Sequence, residues 1–255
     1  MMEFVSIEVS EGVAVVRLDR PRANAIDLQV GLELQEAFRD LRDRDDVGAL
    51  VLTGGRKLFA AGADINAMAT FGPAEITPVV SALGDALDLL ESLPKISIAA
   101  VNGYALGGGF ELALAADLRY LAADATVGQP EVNLGVIPGA GGTQRIVDLA
   151  GVGVARDLVY SGRSVPAEEA HRLRLAERVL DPDDVLDAAI ADARGFAGGP
   201  RMALAAAKAA IRAAVRSPGP EGLAAEKALF TGLFGGAEQR EGMAAFLEKR
   251  SPDFS

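Results

Sequence analysis

AAVNGYALGGGFELALAADLRYLAADATVGQPEVNLGVIPGAGGTQR, residues 99–145 of the 255-residue chain, is the stretch whose reading decides the fold. An apolar run, Ile96–Val101, has the composition of a strand and breaks at Asn102-Gly103. Gly107, Gly108 and Gly109 follow, and a run compatible with helix carries Glu111 in its first turn. Three consecutive glycines are costly in backbone entropy. A fold keeps them where a side chain would block a close approach or where φ must be positive. A strand, a glycine turn and a helix start together offer unpaired backbone N–H groups to an anion or a developing oxyanion. Glu111 then reads in two ways: as a first-turn acid that satisfies the helix dipole, or as a carboxylate beside an oxyanion-type donor site.

The second half of the stretch repeats the pattern. After a strand-like run, Leu118–Ala122, come Gln129-Pro130-Glu131, then Gly135, Pro138 and Gly139-Ala140-Gly141-Gly142 before another helix. Glu131 therefore also lies next to a glycine-rich helix start. Two such acids suggest a pair facing one pocket, although spacing alone leaves open whether they converge.

Composition narrows the chemistry. The formal net charge of −11 argues against a nucleic-acid or acidic-membrane surface, while leaving room for an anionic ligand held by a local basic pocket or by helix N-termini. Cysteine is absent, which removes disulfides, thiolate nucleophiles and cysteine metal sites. The single histidine, His171, sits among Glu168, Glu169, Arg172 and Arg174 in a polar helical stretch, a poor setting for a triad or a histidine metal site. Carboxylates and backbone donors are the tools left. Met1-Met2-Glu3-Phe4 has no basic segment leading into an apolar core, and no run of about 20 apolar residues occurs. The expectation is a cytoplasmic protein with no membrane or nucleic-acid partner and no metal.

Taken in order, Val5, Ile7 and Val9 alternate with polar residues, and Val13–Leu18 resumes after Glu11-Gly12, a hairpin signature. A helix from Leu28 to Arg42 puts Val30, Leu34, Phe38 and Leu41 on one face, and Val47–Leu52 reads as a buried strand. Strands alternating with helices predict an α/β fold. Phe59 reads as a core anchor before the small residues Ala60, Ala61, Gly62 and Ala63, and Asp64 as a helix-start or loop-holding acid. Met68–Pro78 lacks a pattern, as a mobile segment over a ligand would, and Val79, Leu83, Leu87 and Leu90 mark a helix ending at Pro94. Lys95 reads as an exposed lysine or a phosphate partner. Ser164–Glu169 reads as a helix start, and from Pro182 onward every pattern is helical. A division follows: an α/β core over residues 1–195 and a helical region over 196–255, with Gly198-Gly199-Pro200 between them.

The chain resembles the enoyl-CoA hydratase/isomerase, or crotonase, family. The resemblance rests on Leu18-Asp19-Arg20-Pro21, on Phe59-Ala60-Ala61-Gly62-Ala63-Asp64-Ile65, and on Ala99–Ala113 with its three glycines. It continues through Gln129-Pro130-Glu131, Ile137-Pro138-Gly139-Ala140-Gly141-Gly142-Thr143-Gln144-Arg145, and Glu241-Gly242-Met243 with Phe246–Arg250. It implies the crotonase-like (ClpP/crotonase) fold of repeated ββα units with a helical C-terminal region that covers the site and joins subunits into homotrimers or dimers of trimers. It implies an acyl-CoA thioester substrate with no separate cofactor, a hydratase pair at Glu111 and Glu131, and an oxyanion hole from the backbone N–H groups of Ala63 and Gly108. Gly139 would hold the loop beside the water. Arg22, Ala61, Asp64, Ile65 and Lys249 would be the candidates for contact with coenzyme A. Arg174 stands where the family usually has glycine. Two acids favour hydration of a 2-enoyl thioester. The alternatives are isomerisation of a 3-enoyl thioester, which needs one proton-shuttling carboxylate, and a non-catalytic acyl-CoA-binding or scaffold role. A dinucleotide site is excluded by the spacing of the glycines.

Overall fold

A computed structural model describes residues 2–254. The chain opens with β1 (Val5–Ser10) and β2 (Val13–Leu18), an antiparallel hairpin whose turn residues Glu11 (φ 51°) and Gly12 (φ 77°) both take positive φ, the backbone that matches strand twist. Helix α1 (Leu28–Asp43) is capped by Asp27, which accepts from Val30 N at 2.9 Å, and leads to β3 (Ala49–Thr53). The short α2 (Ile65–Met68) and long α3 (Pro73–Ser92) precede β4 (Ile96–Val101). Then come β5 (Tyr104–Leu106), α4 (Gly108–Ala115), β6 (Leu118–Ala122), β7 (Thr126–Gly128) and a 3-10 turn over Pro130–Leu134. Helices α5 (Gly142–Ala150) and α6 (Val152–Ser161) lead to β8 (Ser164–Pro166), α7 (Ala167–Arg172) and β9 (Arg178–Leu180). Helices α8 (Val185–Ala197), α9 (Arg201–Arg216), α10 (Pro220–Gly232) and α11 (Ala237–Glu248) complete the chain.

Two sheets result. The larger runs β1-β2-β3-β4-β6-β9, parallel from β2 onward. All five residues of β3 are buried, as expected of a parallel strand covered on both faces. The smaller sheet, β5-β7-β8, joins segments far apart in sequence. Every residue of α4 is buried, so this apolar helix lies within the molecule rather than on it, and Glu111 is its one charge.

Three expectations change. The helix start read over Ser164–Glu169 falls at Ala167, and Ser164–Pro166 before it is a strand, with Val165 paired to Val127. Helix α3 begins at Pro73, earlier than the pattern after Val79 suggested. Glu75 accepts from Gly72 N at 2.9 Å, Pro73 opens the helix, and Pro78 is carried inside it. Lys95 is neither a free surface lysine nor placed for a phosphate: its ammonium donates to the carbonyls of Leu41 and Arg44 (2.7 Å to the latter), satisfying the C-terminus of α1.

After α8, which packs against β2, β3 and β4, residues Gly198–Pro200 lead into α9. One buried lysine ties α9 to the core: Lys208 Nζ donates to Asp117 Oδ2 (2.7 Å), Lys95 O (3.0 Å) and Leu90 O (3.3 Å). Among the described residues, no helix is long and apolar enough to cross a membrane.

Candidate active site

The site forms where two glycine turns approach each other. Residues 60–63 are held by two isolated bridges, Ala60 to Ala105 of β5 and Ala63 to Ile26. In this pairing Ile26 N donates to Gly62 O and Asp64 N to Ile26 O, so the N–H of Ala63 points away from the bridge. Facing it, Gly107 (φ 51°) precedes α4 and leaves Gly108 as the first residue of the helix. The turns touch: a Cβ on Gly62 would lie 2.8 Å from Leu106 O, and one on Gly108 would lie 4.0 Å from Ala63 N. Among the described residues, neither the Ala63 nor the Gly108 N–H donates to a protein acceptor. The two form a pair of free donors at a helix N-terminus, suited to one anionic oxygen.

The carboxylates flank this donor pair. Glu111, 2% exposed, rises from the first turn of α4. Its Oε1 accepts from Gly142 N at 2.7 Å and Ala140 N at 2.8 Å, both in the second glycine turn. No described donor takes Oε2. Burial pushes the Glu111 carboxyl up; the two backbone donors and the Arg145 charge pull it back, and burial prevails. Glu131 lies on the 3-10 turn, with Oε1 against Gly107: a Cβ there would come within 2.9 Å of it. The Glu131 carboxyl rises to about 7, mainly through burial and further through the charge of Glu111. The charge of Glu111 reaches Glu131, so the structure brings the two acids into one neighbourhood.

Three residues that build the site were not singled out by sequence. Gln129 is fully buried; with its amide nitrogen toward Glu131 it donates to Oε1 (2.9 Å) and Oε2 (3.1 Å), fixing that carboxylate. Asn24, in left-handed backbone (φ 49°), donates to Gly54 O (2.9 Å) and Phe59 O (3.0 Å) and accepts from Arg20 N (2.8 Å), so it knits the first loop to the segment carrying Ala63. Arg145 donates to Ala140 O at 2.6 Å. Gln129 and Arg145 lie inside the quoted motifs Gln129-Pro130-Glu131 and Ile137–Arg145, and Asn24 follows a Pro-Arg turn; those were the available signals.

The other predicted residues divide. Ala61 and Arg22 are exposed on adjoining loops and Ile65 is exposed at the start of α2, with Ala61 N donating to Ala23 O at 3.0 Å. Asp64 caps α2 through Ala67 N (3.3 Å) and pairs with Arg20 (3.0 Å); that guanidinium holds its carboxyl below the usual range. Its observed contacts are those of a loop-holding acid. Gly139 is exposed on the turn before Ala140, beside Val80. Lys249 ends α11 in left-handed backbone (φ 58°), and among the described residues no hydrogen bond or ion pair joins it to these loops. His171 Nδ1 meets the carbonyl of Ala176 at 2.9 Å, away from both acids. Among the described residues, no group of three His, Asp or Glu side chains is arranged to hold a metal ion.

Known proteins match this chain nearly end to end. The sequence profile of the family described as enoyl-CoA hydratase/isomerase covers residues 8–255. A relative named probable enoyl-CoA hydratase echA8, from Mycobacterium tuberculosis, is 43% identical over 256 residues, covering 99% of this chain and 98% of the relative. Among solved structures, an enoyl-CoA hydratase from Bacillus anthracis superposes with a TM-score of 0.94 at 37% identity, covering 98% of each chain. Pseudomonas aeruginosa DspI superposes with a TM-score of 0.95 at 36% identity, covering 99% of this chain and 97% of that one. With its two glycine turns, paired acids and match along the whole chain, this protein belongs to the enoyl-CoA hydratase/isomerase family.

Proposed function

We propose that the chain is an enoyl-CoA hydratase, adding water reversibly in syn fashion across the 2,3 double bond of a 2-enoyl-CoA thioester to give a 3-hydroxyacyl-CoA. The observation that carries this reading is the pairing of the buried Glu111 with the partly buried Glu131 beside two free backbone donors. The thioester oxygen accepts from Ala63 N–H and Gly108 N–H. Water lies between Glu111 and Glu131. As the water oxygen bonds to C3, the π electrons move toward C1 and negative charge gathers on the thioester oxygen. Preorganised donors at that oxygen are worth on the order of 3 kcal/mol each.

Glu131 takes a proton from the water and returns one to C2, so the product carries one hydroxyl and one hydrogen from a single water. A carboxyl held at about 7 suits both halves of this exchange, since acid and base forms are both populated near neutral pH. Glu111, fixed through Oε1, presents Oε2 to the same water and shares the proton work. Gly139 keeps the turn beside that water free of a side chain. Arg22, Ala61, Asp64, Ile65 and Lys249 are the proposed contacts for coenzyme A, supported for the first four by their adjoining positions.

The division at residue 196 belongs to the same proposal: α9–α11 cover the site and join subunits as a homotrimer or a dimer of trimers. Support comes from apolar side chains that the single chain leaves in water, including Ile211, Phe230, Leu247 and Phe246, the last 82% exposed. Light scattering on the purified protein tests it, and a monomer would refute it. A cytoplasmic location is likewise proposed and is tested by cell fractionation.

Ultraviolet absorbance of the conjugated enoyl thioester tests the activity, using crotonyl-CoA and longer analogues with wild type, Glu111→Ala and Glu131→Ala. Rapid loss of the chromophore in wild type, abolished in both variants, is expected. No loss at any chain length, with gain of the chromophore from a 3-enoyl thioester, would replace hydration by isomerisation.

A further inference from the structure

A buried charge beside the second glycine turn has no part in the mechanism. Arg145, on α5 and 8% exposed, spans the space between the second glycine turn and α3. Its Nη1 donates to Ala140 O at 2.6 Å, and the N–H of the same Ala140 holds Glu111. Its Nε donates to Glu91 Oε1 at 2.5 Å, and Nη2 lies 3.5 Å from Asp88. The second oxygen of Glu91 accepts from Arg216 of α9 at 2.9 Å, across the cavity of about 830 Å³ between α9 and the core. Gly141 (φ 102°) is shaped for this guanidinium: a Cβ at that position would overlap Arg145 Nη1.

A turn reading Gly139-Ala140-Gly141-Gly142 has almost no side chains of its own to hold it, and glycine backbone is costly to order. Yet both N–H groups that fix Glu111 come from this turn. We propose that Arg145, itself held by Glu91, is a positioning residue for Glu111: it clamps the Ala140 carbonyl so that the turn keeps its N–H groups on Glu111 Oε1. The inference rests on the hydratase reading for its kinetic consequence and on geometry alone for its structural one.

The clamp also carries charge. Glu111 faces Arg145 from α5 and Glu131 from the 3-10 turn. Arg145 faces Glu91 and Asp88 from α3, and the charges of Asp148, Arg212 and Arg216 surround Glu91. Removing the Arg145 charge, or freeing Arg145 by removing Glu91, therefore raises the proton affinity of Glu111.

The test uses wild type, Arg145→Gln, Arg145→Lys and Glu91→Gln. Hydration is followed across pH, and Glu111 is titrated by NMR of 13C-carboxyl-labelled glutamate, its signal assigned by loss in Glu111→Gln. Arg145→Gln is expected to lower kcat ~10- to 100-fold, with KM within about threefold, and to move the Glu111 midpoint up. Arg145→Lys should keep the midpoint near wild type and recover most of kcat, and Glu91→Gln, which loosens Arg145, should move the midpoint up by less than Arg145→Gln does. A folded variant that had merely lost stability would leave the Glu111 midpoint unmoved. Wild-type kcat and an unmoved midpoint in Arg145→Gln would overturn the proposal, as would a downward or absent shift in Glu91→Gln. Should Arg145→Gln fail to fold by circular dichroism, Arg145→Lys and Glu91→Gln decide. Absence of hydration by wild type would remove the hydratase reading, and the titration would still judge the clamp.

Discussion

Replacing Glu131 with glutamine should abolish hydration and make the protein more stable, with a gain that depends on pH in a defined direction. The Glu131 carboxyl rises from its ordinary 4.5 to about 7, chiefly through burial. In full, that rise disfavours the ionised form by roughly 3 kcal/mol. Glu131 is only partly buried, so solvent screens a share, and about 1–2 kcal/mol remains. The sign follows from linkage. Below pH 4.5 the carboxyl is protonated in both folded and unfolded chains, and no penalty exists. Between 4.5 and about 7 the unfolded chain loses the proton that the folded chain keeps, so folding weakens as pH rises. Above about 7 the penalty is complete. Glutamine keeps the shape and an acceptor for Gln129 but never titrates. For a chain of this size, thermal unfolding should show Glu131→Gln melting ~2–6 °C higher at pH 8, with the difference shrinking to nothing toward pH 4. A melting difference that is constant across pH, or a less stable variant at pH 8, would refute the argument that burial of this carboxylate is held against stability for the sake of proton transfer.

Other positions give independent checks. Gly108→Pro removes one oxyanion donor at a helix position that tolerates proline; kcat/KM should fall about 10²- to 10³-fold with the circular dichroism spectrum unchanged. Asn24→Ala leaves the Gly54 and Phe59 carbonyls and the Arg20 N–H without their partner and puts alanine in left-handed backbone; denaturant unfolding should show a loss of about 2–4 kcal/mol. Arg174 holds a φ of 64°, which glycine adopts without strain. Arg174→Gly should therefore raise stability by roughly 0.5–1 kcal/mol in the same assay, leaving activity intact.

The backbone of the account was legible before the structure wherever a local pattern exists. The hairpin, α1, β4, β6 and the four final helices follow from alternation, helical periodicity and punctuation by glycine and proline. Glu111 and Glu131 were found because each adjoins a glycine-rich turn, a feature written in a few consecutive residues. What was hidden is three-dimensional. Strands β5, β7 and β8 have three residues each, too few for any period, and exist because distant segments pair. Arg174 stood out only through resemblance, and its positive φ gives the physical reason glycine suits that turn. Asn24, Gln129 and Arg145 look like ordinary polar residues in sequence; their importance lies in partners up to 54 positions away, as for Arg145 and Glu91. Lys95 likewise read as a surface charge until the carbonyls of α1 were found around it.

The central claim is that Glu111 and Glu131 together add one water to C3 of an enoyl thioester. Its most direct test is incubation of a 2-enoyl-CoA with wild type, Glu111→Gln and Glu131→Gln in water enriched in oxygen-18, with mass spectrometry of the product. The account predicts a 3-hydroxyacyl-CoA carrying one oxygen-18 from the wild type and none above background from either variant. An unlabelled product, an isomer without added oxygen, or full labelling by a variant lacking one acid would contradict it.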